Sequence, residues 1–180
     1  MKTLGLIGFG QFGQLAAKHL KDHFDVLAAD AADGAPEAAR ALGVAFGSAQ
    51  EAAAREIVIV AVPVRAMREV FARIAPYLRD GALVIDVGSV KMLPSQWMRD
   101  LLPPTVDLVA THPLFGPQSA KNGLAGLRLV VCPIRGGRAE KVAQFGRDLG
   151  LTVTVTTAEE HDREMAYVQA LTHLIGRSLV

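Results

Sequence analysis

The sequence lacks several features that would assign it to particular classes of protein. It has one cysteine, so no disulfide can form within the chain. The net charge is +1 and the basic residues are scattered, so nothing indicates a nucleic acid or an anionic membrane as a partner. The longest apolar runs are only of strand length, too short to span a bilayer. The first residues show no small-residue cleavage site. We therefore expect a globular protein of the cytoplasm without nucleic-acid or membrane partners.

The residue types that most often bind metals or act as nucleophiles are also sparse. Cys132 ends an apolar run, which favours a small buried hydrophobic residue over a nucleophilic thiol. His19 and His23 are four residues apart, but their charged neighbours indicate the solvated face of a helix rather than a zinc site. We expect no metal.

What the sequence does contain is a regular alternation of short apolar runs and helical patterns. The runs are mostly β-branched or rich in leucine and predict strands at Leu4–Ile7, Val26–Ala29, Ile57–Val62, Leu83–Val87, Val106–Ala110, Leu127–Val131 and Leu151–Val155. Apolar residues recur at helical spacing in 65–79 and 138–149, and 11–20 also reads as a helix. Strands that alternate with helices imply parallel pairing through right-handed crossovers. The predicted fold is a doubly wound α/β domain of the Rossmann type with a mostly parallel sheet.

The end of the sequence follows a different pattern. Thr157 and Glu160 form a candidate capping box, and from there the chain reads as one helix to Val180. Met165, Val168, Leu171, Ile175 and Leu179 form an apolar stripe along it. We expect a dinucleotide-binding domain at 1–156 and, at 157–180, the first helix of a helical domain that continues in a longer protein.

A glycine-rich stretch, GFGQFG, follows the first predicted strand and opens the first predicted helix. Gly8 permits a sharp turn, Gly10 allows a pyrophosphate to approach the backbone, and Gly13 allows the helix to lie close to the sheet. The free N–H groups near Gln11 and Phe12 favour a diphosphate. The whole loop, including Phe9, is therefore a candidate coenzyme site.

Asp30 ends the second predicted strand, where a carboxylate can accept hydrogen bonds from an adenosine ribose. A 2′-phosphate would face this negative charge, and the following residues contain no Arg or Lys before Arg40. NAD is therefore favoured over NADP as the cofactor. The alternative for Asp30 is a solvated loop acid.

Polar groups follow two further predicted strands, at the edge where open α/β sheets bind ligands. One stretch, DVGSVK, contains Ser89 and Lys91, and the other, ATHPLFGPQS, contains His112 and Gln118. A histidine just past a strand and stiffened by the next proline is well placed as a general acid or base. The alternative is a structural turn histidine.

Four motifs together resemble a known family. GFGQFGQ, DVGSVK, THPLFGPQS and HDREMAYVQALTHLIGR occur in the order and at the spacing seen in prephenate and arogenate dehydrogenases of tyrosine biosynthesis. The resemblance covers essentially the whole chain, and HPLFGPQS is most similar to the plant-type arogenate enzymes. It implies an NAD-dependent oxidoreductase that oxidatively decarboxylates arogenate or prephenate.

The resemblance also implies roles for individual residues. His112 would assist deprotonation of the substrate C4 hydroxyl, and Ser89 would hydrogen-bond that oxygen or His112. Val62 and Pro63 would line the nicotinamide ribose. Gln118 and Ser119 would face the substrate side chain, and His173 matches a histidine of the family's first long helix, with a core histidine as the alternative.

The chain departs from complete family members in one respect. Those members continue as a helical domain that forms a homodimer and supplies an arginine for the substrate ring carboxylate, and we assign no such arginine here, Arg177 included. Three alternatives remain. A serine hydrolase is disfavoured because VGSVK lacks the second glycine of a nucleophile elbow. Another hydroxyacid or 6-phosphogluconate-type dehydrogenase would not account for Ser89 and His112, and an NAD-sensing module would not need them.

Overall fold

The computed structural model describes the backbone of residues 1–178 and the side chains of residues 1–168. Strands and helices alternate along the chain. The strands are β1 Lys2–Ile7, β2 Phe24–Ala29, β3 Ala45–Phe46, β4 Ile57–Val60, β5 Leu83–Asp86, β6 Asp107–Pro113, β7 Arg128–Arg135 and β8 Thr152–Val155. The helices are α1 Gln11–Leu20, α2 Ala35–Leu42, α3 Ala49–Ala53, α4 Val64–Ile74, α5 Met92–Leu101, α6 Ala139–Asp148 and α7 Ala158–Ser178, with a 3₁₀ turn at Ala75–Tyr77.

The strands form one sheet in the order β3-β2-β1-β4-β5-β6-β7-β8. Every neighbouring pair is parallel except β6 and β7, which are antiparallel. The predicted doubly wound, mostly parallel fold is therefore confirmed. The implied parallel pairing is wrong only for β6 and β7, because no helix crosses over between them and the chain returns through the turns of residues 114–127.

All seven predicted strands are present, with ends that differ by a few residues. The sequence missed β3 because two residues are too few to show an alternating pattern. A second correction concerns His112, which lies inside β6 rather than just past it.

The two faces of the sheet carry separate apolar cores, because the side chains of each strand alternate between them. Ala17, Ala39 and Ala143 bring α1, α2 and α6 onto one face. Ala52, Phe71 and Met98 bring α3, α4 and α5 onto the other. Burial on both faces explains why β4 is apolar throughout. Among the described residues, no helix is long and apolar enough to cross a membrane.

Helix α7 begins at the predicted capping box. The Glu160 N–H donates to Thr157 Oγ1 at 3.1 Å, and the Thr157 N–H approaches Glu160 Oε2 at 3.5 Å. The first turn of α7 packs on α5. On the predicted apolar stripe, Met165 is half-buried and Val168 is exposed. The side chains of Leu171, His173, Ile175, Arg177 and Leu179 lie outside the described residues.

The approach of α3 to β1 gives a stability prediction. A Cβ at Gly5 would lie 1.9 Å from the Ala52 carbonyl oxygen, so Gly5→Ala must push α3 away from the sheet. Overpacking of this kind typically costs about 1–3 kcal/mol of unfolding free energy. We expect this loss in urea unfolding of Gly5→Ala.

The matched control is Gly34→Ala. Its Cβ would meet no atom within 4 Å, and the backbone φ of −82° suits alanine. We expect a change within about 0.5 kcal/mol for this surface position. Equal unfolding midpoints for the two variants would contradict the packing argument.

Candidate functional site

The carboxyl ends of four parallel strands define one edge of the sheet. The Gly8 turn follows β1, residues 61–63 follow β4 and residues 87–91 follow β5, while His112 lies near the end of β6. Strands β4 and β5 lie between β1 and β6, so three strand spacings, or about 14 Å, separate the Gly8 turn from the strand that carries His112. The predicted coenzyme and reactive groups are thus at the same edge.

The glycine turn has the shape that the sequence predicts. Gly8 has φ +101°, and a Cβ there would lie 2.6 Å from the backbone of Ala61. A Cβ at Gly13 would lie 2.1 Å from the Gly8 carbonyl oxygen, so α1 can lie close to the turn only with glycine at this position. Gly10 differs, because a Cβ there would meet no atom within 4 Å. The space above Gly10 is open to a ligand.

The N-terminus of α1 faces this open space. The first hydrogen bond of the helix runs from the Gln14 N–H to the Gly10 carbonyl oxygen at 2.9 Å. The N–H groups of Gln11, Phe12 and Gly13 therefore have no acceptor within the helix. Together with the helix dipole, these groups favour an anion such as a diphosphate.

Asp30 is held in place by the glycine loop rather than lying free in solvent. Its Oδ2 accepts a hydrogen bond from the Phe9 N–H, and its Oδ1 accepts one from the Ala32 N–H at 2.8 Å. The carboxylate is half-buried at the end of β2. It thus ties the end of β2 to the loop after β1, it lines the cavity that both elements border, and each of its oxygens can accept a further hydrogen bond.

A cavity of about 460 Å³ lies in front of these groups. Of the predicted coenzyme residues, it is lined by Gly8, Gly10, Asp30, Val62 and Pro63. The side chain of Phe9 is instead buried in the core, that of Gln11 is exposed, and that of Phe12 lies 6.3 Å from the Phe115 ring, centroid to centroid. The lining also includes residues 47–50 and Arg73, which the sequence did not single out.

The DVGSVK motif forms a turn closed by a buried ion pair. Asp86 and Lys91 are both fully buried, and Lys91 Nζ donates to Asp86 Oδ1 and to the Thr111 carbonyl oxygen. The same Asp86 oxygen accepts the Gly88 N–H at 2.8 Å. The carboxylate thus holds both ends of the turn below the surface and leaves Ser89 exposed above it. The position of Lys91 in the sequence predicted that its side chain would lie at the ligand-binding edge. In the structure this side chain is buried and stabilises the turn from inside.

The other polar residues of the predicted reactive group lie around this edge. Ser89, Gln118 and Ser119 are exposed, the latter two in the turns after β6. Among the described residues, Ser89 makes no hydrogen bond to His112, contrary to one of the two roles expected for it. The structure therefore leaves Ser89 free to contact a ligand.

His112 is hydrogen-bonded instead to the first turn of α7. Its Nδ1 lies 2.9 Å from His161 Nε2, and His161 Nδ1 lies 2.8 Å from Asp162 Oδ1. Asp162 also accepts the N–H groups of Lys91 at 2.7 Å and Met92 at 2.9 Å, at the start of α5. His161 is 2% exposed. Three side chains thus form a continuous chain from α5 to the end of β6.

These surroundings shift the ionisation of His112. Burial, the adjacent His161 and the Lys91 charge lower the pKa of His112 to about 4, against a smaller opposite effect of Asp162. Burial alone would raise the pKa of Asp162, but the Met92 N–H, His161 and the Lys91 N–H hold it below its usual value. At neutral pH, His112 is therefore an uncharged imidazole and Asp162 is a carboxylate.

Within the buried ion pair, burial raises the pKa of Asp86 and lowers that of Lys91, and each partner opposes the shift of the other. Because each charge is stabilised in the interior mainly by the other, the loss of either residue should destabilise the fold.

Sequence reasoning missed the residues that support His112. Asp86, His161 and Asp162 lie inside motifs that were recognised, DVGSVK and HDREMA, but their roles depend on contacts between elements far apart in the chain. One signal was present: the HD pair follows a capping box, which places it in the first helical turn where side chains can reach other elements.

Two further expectations concern the single cysteine and the two histidines of α1 and the turn after it. Cys132 is buried, as predicted, and burial raises the pKa of its thiol to about 11, which suppresses thiolate chemistry. His23 is exposed, whereas His19 is half-buried with its Nε2 enclosed, so the solvated-face interpretation is wrong for His19. Within the described part of the chain, no group of three or more His, Cys, Asp or Glu residues could hold a metal ion.

Three features define a dinucleotide-binding domain of the doubly wound class. They are the glycine turn after the first strand, the exposed N-terminus of the first helix, and the acidic residue at the end of the second strand. Comparison with known proteins narrows this class. Residues 16–155 match the family described as prephenate dehydrogenase, nucleotide-binding domain, and the chain belongs to that family.

Individual relatives agree with this assignment. The chain is 37% identical over 143 residues to a probable arogenate/prephenate dehydrogenase of Methanocaldococcus jannaschii, covering 77% of this chain and 32% of that protein. It is 33% identical to arogenate dehydrogenase 1, chloroplastic, of Arabidopsis thaliana, covering 98% of this chain and 29% of that protein. The chain thus spans about a third of the length of these two relatives.

The fold also matches solved structures. The prephenate dehydrogenase of Aquifex aeolicus, in complex with hydroxyphenyl propionate and NAD+, superposes with a TM-score of 0.82 at 22% identity. The match covers 99% of this chain and 68% of that one. At this identity, the similarity is one of fold.

The buried ion pair gives a second stability prediction. Lys91→Met removes the cation and leaves the Asp86 carboxylate buried without it. Breaking a buried pair in this way typically costs about 3–5 kcal/mol. We expect that loss in the unfolding free energy measured with urea.

The control is Arg147→Met, which removes the cation of an exposed pair with Glu140. Exposed pairs contribute about 0–1 kcal/mol. Similar losses for the two variants would show that the Asp86–Lys91 pair does not stabilise the turn.

Proposed function

We propose that the native protein is an NAD-dependent oxidoreductase that oxidatively decarboxylates arogenate or prephenate in tyrosine biosynthesis. The observation that carries the proposal is the position of His112, an uncharged imidazole at the same sheet edge as the glycine cradle. Membership of the prephenate dehydrogenase family supports the reaction class. The names of the two sequence relatives, an arogenate/prephenate dehydrogenase and an arogenate dehydrogenase, support the substrate class.

The residues of this chain fit a dinucleotide. The open space at Gly10 and the three N–H groups at the start of α1 suit a pyrophosphate, and Asp30 suits an adenosine ribose with both hydroxyls free. A 2′-phosphate would lie against the Asp30 carboxylate, so NAD is the expected coenzyme and NADP the less favoured one. When bound, NAD would supply the hydride acceptor for the substrate C4.

In the proposed reaction, His112 accepts the proton of the substrate C4 hydroxyl as the C4 hydride leaves for the coenzyme. The bond from the ring to its carboxylate then breaks, CO₂ departs, and the electron pair of that bond makes the ring aromatic. The ring oxygen ends as a phenol, with the proton returned from His112 or from solvent. Val62 and Pro63 would border the nicotinamide ribose, and Ser89 would hydrogen-bond the C4 oxygen from its exposed position.

The remaining assignments rest on the family resemblance. Gln118 and Ser119 would contact the substrate side chain, where arogenate has an amino group and prephenate a keto group, and His173 would approach the substrate from α7. We further propose that 1–156 is the coenzyme domain and that α7 opens a helical domain. That domain would form a homodimer in the cytoplasm and supply the cation for the ring carboxylate. These roles are supported by position in the sequence alone.

The coenzyme site can be tested separately from the chemistry. Gly10→Ala should fold normally, because its Cβ meets no atom within 4 Å, but the methyl group would occupy the space open to a pyrophosphate. We expect NAD to bind at least about tenfold more weakly, a loss of about 1.4 kcal/mol, in isothermal titration calorimetry. Gly34→Ala serves again as the control, and unchanged NAD affinity in Gly10→Ala would place the pyrophosphate elsewhere.

The reaction is tested with His112→Asn in the native protein, by NADH formation with arogenate and with prephenate. Loss of a positioned base should lower kcat by about 10²–10⁴-fold and leave NAD affinity unchanged. His23→Asn, at an exposed position, is the matched control. Turnover of His112→Asn within about threefold of wild type would remove His112 from the mechanism. NAD binding without turnover of either substrate by the wild-type protein would favour an NAD sensor.

A further inference from the structure

The hydrogen-bonded chain from α5 to His112 supports one inference beyond the proposed function, on which it rests. We propose that His161 and Asp162 are positioning residues that fix the ring orientation and tautomer of His112, so that its Nε2 carries the free lone pair for the substrate proton. The proposal is carried by the chain of contacts His112–His161–Asp162 and by the anchoring of Asp162 on α5.

The direction of each hydrogen bond follows from Asp162, because its carboxylate, at one end of the series of hydrogen-bonded side chains, can act only as an acceptor. The Asp162 carboxylate accepts hydrogen bonds from two backbone N–H groups at the start of α5, and an ionised carboxylate can only accept. The nearest nitrogen of His161, Nδ1 at 2.8 Å, must therefore donate to it. A neutral His161 then has a bare Nε2, which can only accept.

The donor and acceptor roles of the His112 nitrogens follow from those of His161 in the same way. His161 Nε2 lies 2.9 Å from His112 Nδ1, so His112 Nδ1 must carry a hydrogen and donate it. The second nitrogen of His112, Nε2, is then left without a hydrogen and can accept a proton. An orienting group behind a base is the arrangement by which proteins usually select one tautomer of a histidine.

A reversed chain would require His161 to carry two hydrogens and hence a positive charge. That charge would be almost fully enclosed, since His161 is 2% exposed, and it would lie in the same interior as the Lys91 ammonium. Lys91 Nζ reaches the carbonyl of Thr111, the residue next to His112. The ring nitrogens of His161 distinguish the two arrangements, because the reversed chain places a hydrogen on both of them, whereas the proposed chain places one on Nδ1 only.

The anchoring of Asp162 makes the chain rigid as well as directional. Its Oδ1 receives the Lys91 N–H and His161, and its Oδ2 receives the Met92 N–H, so the carboxylate is fixed at the start of α5. The Lys91 side chain is in turn fixed by Asp86. The two rings meet edge to face, with centroids 5.1 Å apart and planes at 71°. A ring held on one side in this way presents its other nitrogen in one direction.

Nuclear magnetic resonance of the native protein labelled with ¹⁵N-histidine gives a direct test, because protonated and bare ring nitrogens have distinct shifts. The His112 signals are assigned by their loss in His112→Asn. We expect a protonated Nδ1 and a bare Nε2 in His112, and the same pattern in His161. A protonated Nε2 in His112 would overturn the proposal, whereas the proposed function is tested separately by NADH formation in His112→Asn.

Kinetics provide the second test, using His161→Leu and His161→Gln. Leucine removes the acceptor, whereas the Gln amide oxygen can reach the position of Nε2 and accept from His112. We expect kcat to fall by about 10–100-fold in His161→Leu, as for a slightly misplaced base, with NAD affinity unchanged. His161→Gln should recover most of the loss. His23→Leu, at an exposed site outside the machinery, is the control.

The outcomes separate the two proposals. If His112→Asn is inactive but His161→Leu keeps kcat within about threefold of wild type, the positioning role fails and the proposed function stands. Equal losses in His161→Leu and His161→Gln would also overturn the positioning role, because a purely structural contribution does not depend on a hydrogen-bond acceptor.

Discussion

The buried contact between Asp86 and Lys91 holds together the elements that carry Ser89 and His112 at the candidate site. Asp86 ends β5, Lys91 precedes α5, and the Lys91 ammonium also reaches the carbonyl of Thr111 in β6. One cation thus fixes two strands and a helix relative to one another. An apolar side chain such as methionine could fill the space, but it has no hydrogen to donate to Asp86 Oδ1 or to the Thr111 carbonyl oxygen. The exposed turn that carries Ser89 depends on this buried arrangement.

The first turn of α7 adds a second set of contacts that holds the elements of the site together. Asp162 satisfies two backbone N–H groups at the start of α5, where an acidic side chain is favoured by the helix dipole. His161, one residue earlier, then reaches His112 at the end of β6. Helix α7 is therefore part of the site, although it begins only after the last strand of the sheet.

The fold could be predicted largely from the sequence because it rests on local patterns. The apolar runs and the glycine turn each appear within a few consecutive residues, and the strands and α1 formed where those patterns indicated. Strand β3 and the antiparallel direction of β7 escaped prediction for physical reasons. Two residues show no periodicity, and the direction of β7 depends on a connection without a regular element.

The candidate site was predictable only in part. Gly8, Gly10, Asp30 and His112 could be placed at one edge because parallel strands end together. The supports of His112 could not be placed, because a histidine and an aspartate in a helical turn reveal nothing about a strand 49 residues earlier. The coenzyme cavity likewise gained residues 47–50 from the α3 entry and Arg73 from α4, neither of which carries a motif.

The adjacency of His161 and Asp162 has a consequence for how sequences of this kind can vary in length. Each residue advances an α-helix by about 100° of rotation and 1.5 Å of rise. Deleting or inserting one residue between Thr157 and His161 would turn both side chains away from their partners at once, one from α5 and the other from β6. The junction between sheet and helix should therefore tolerate changes of residue type far better than changes of spacing.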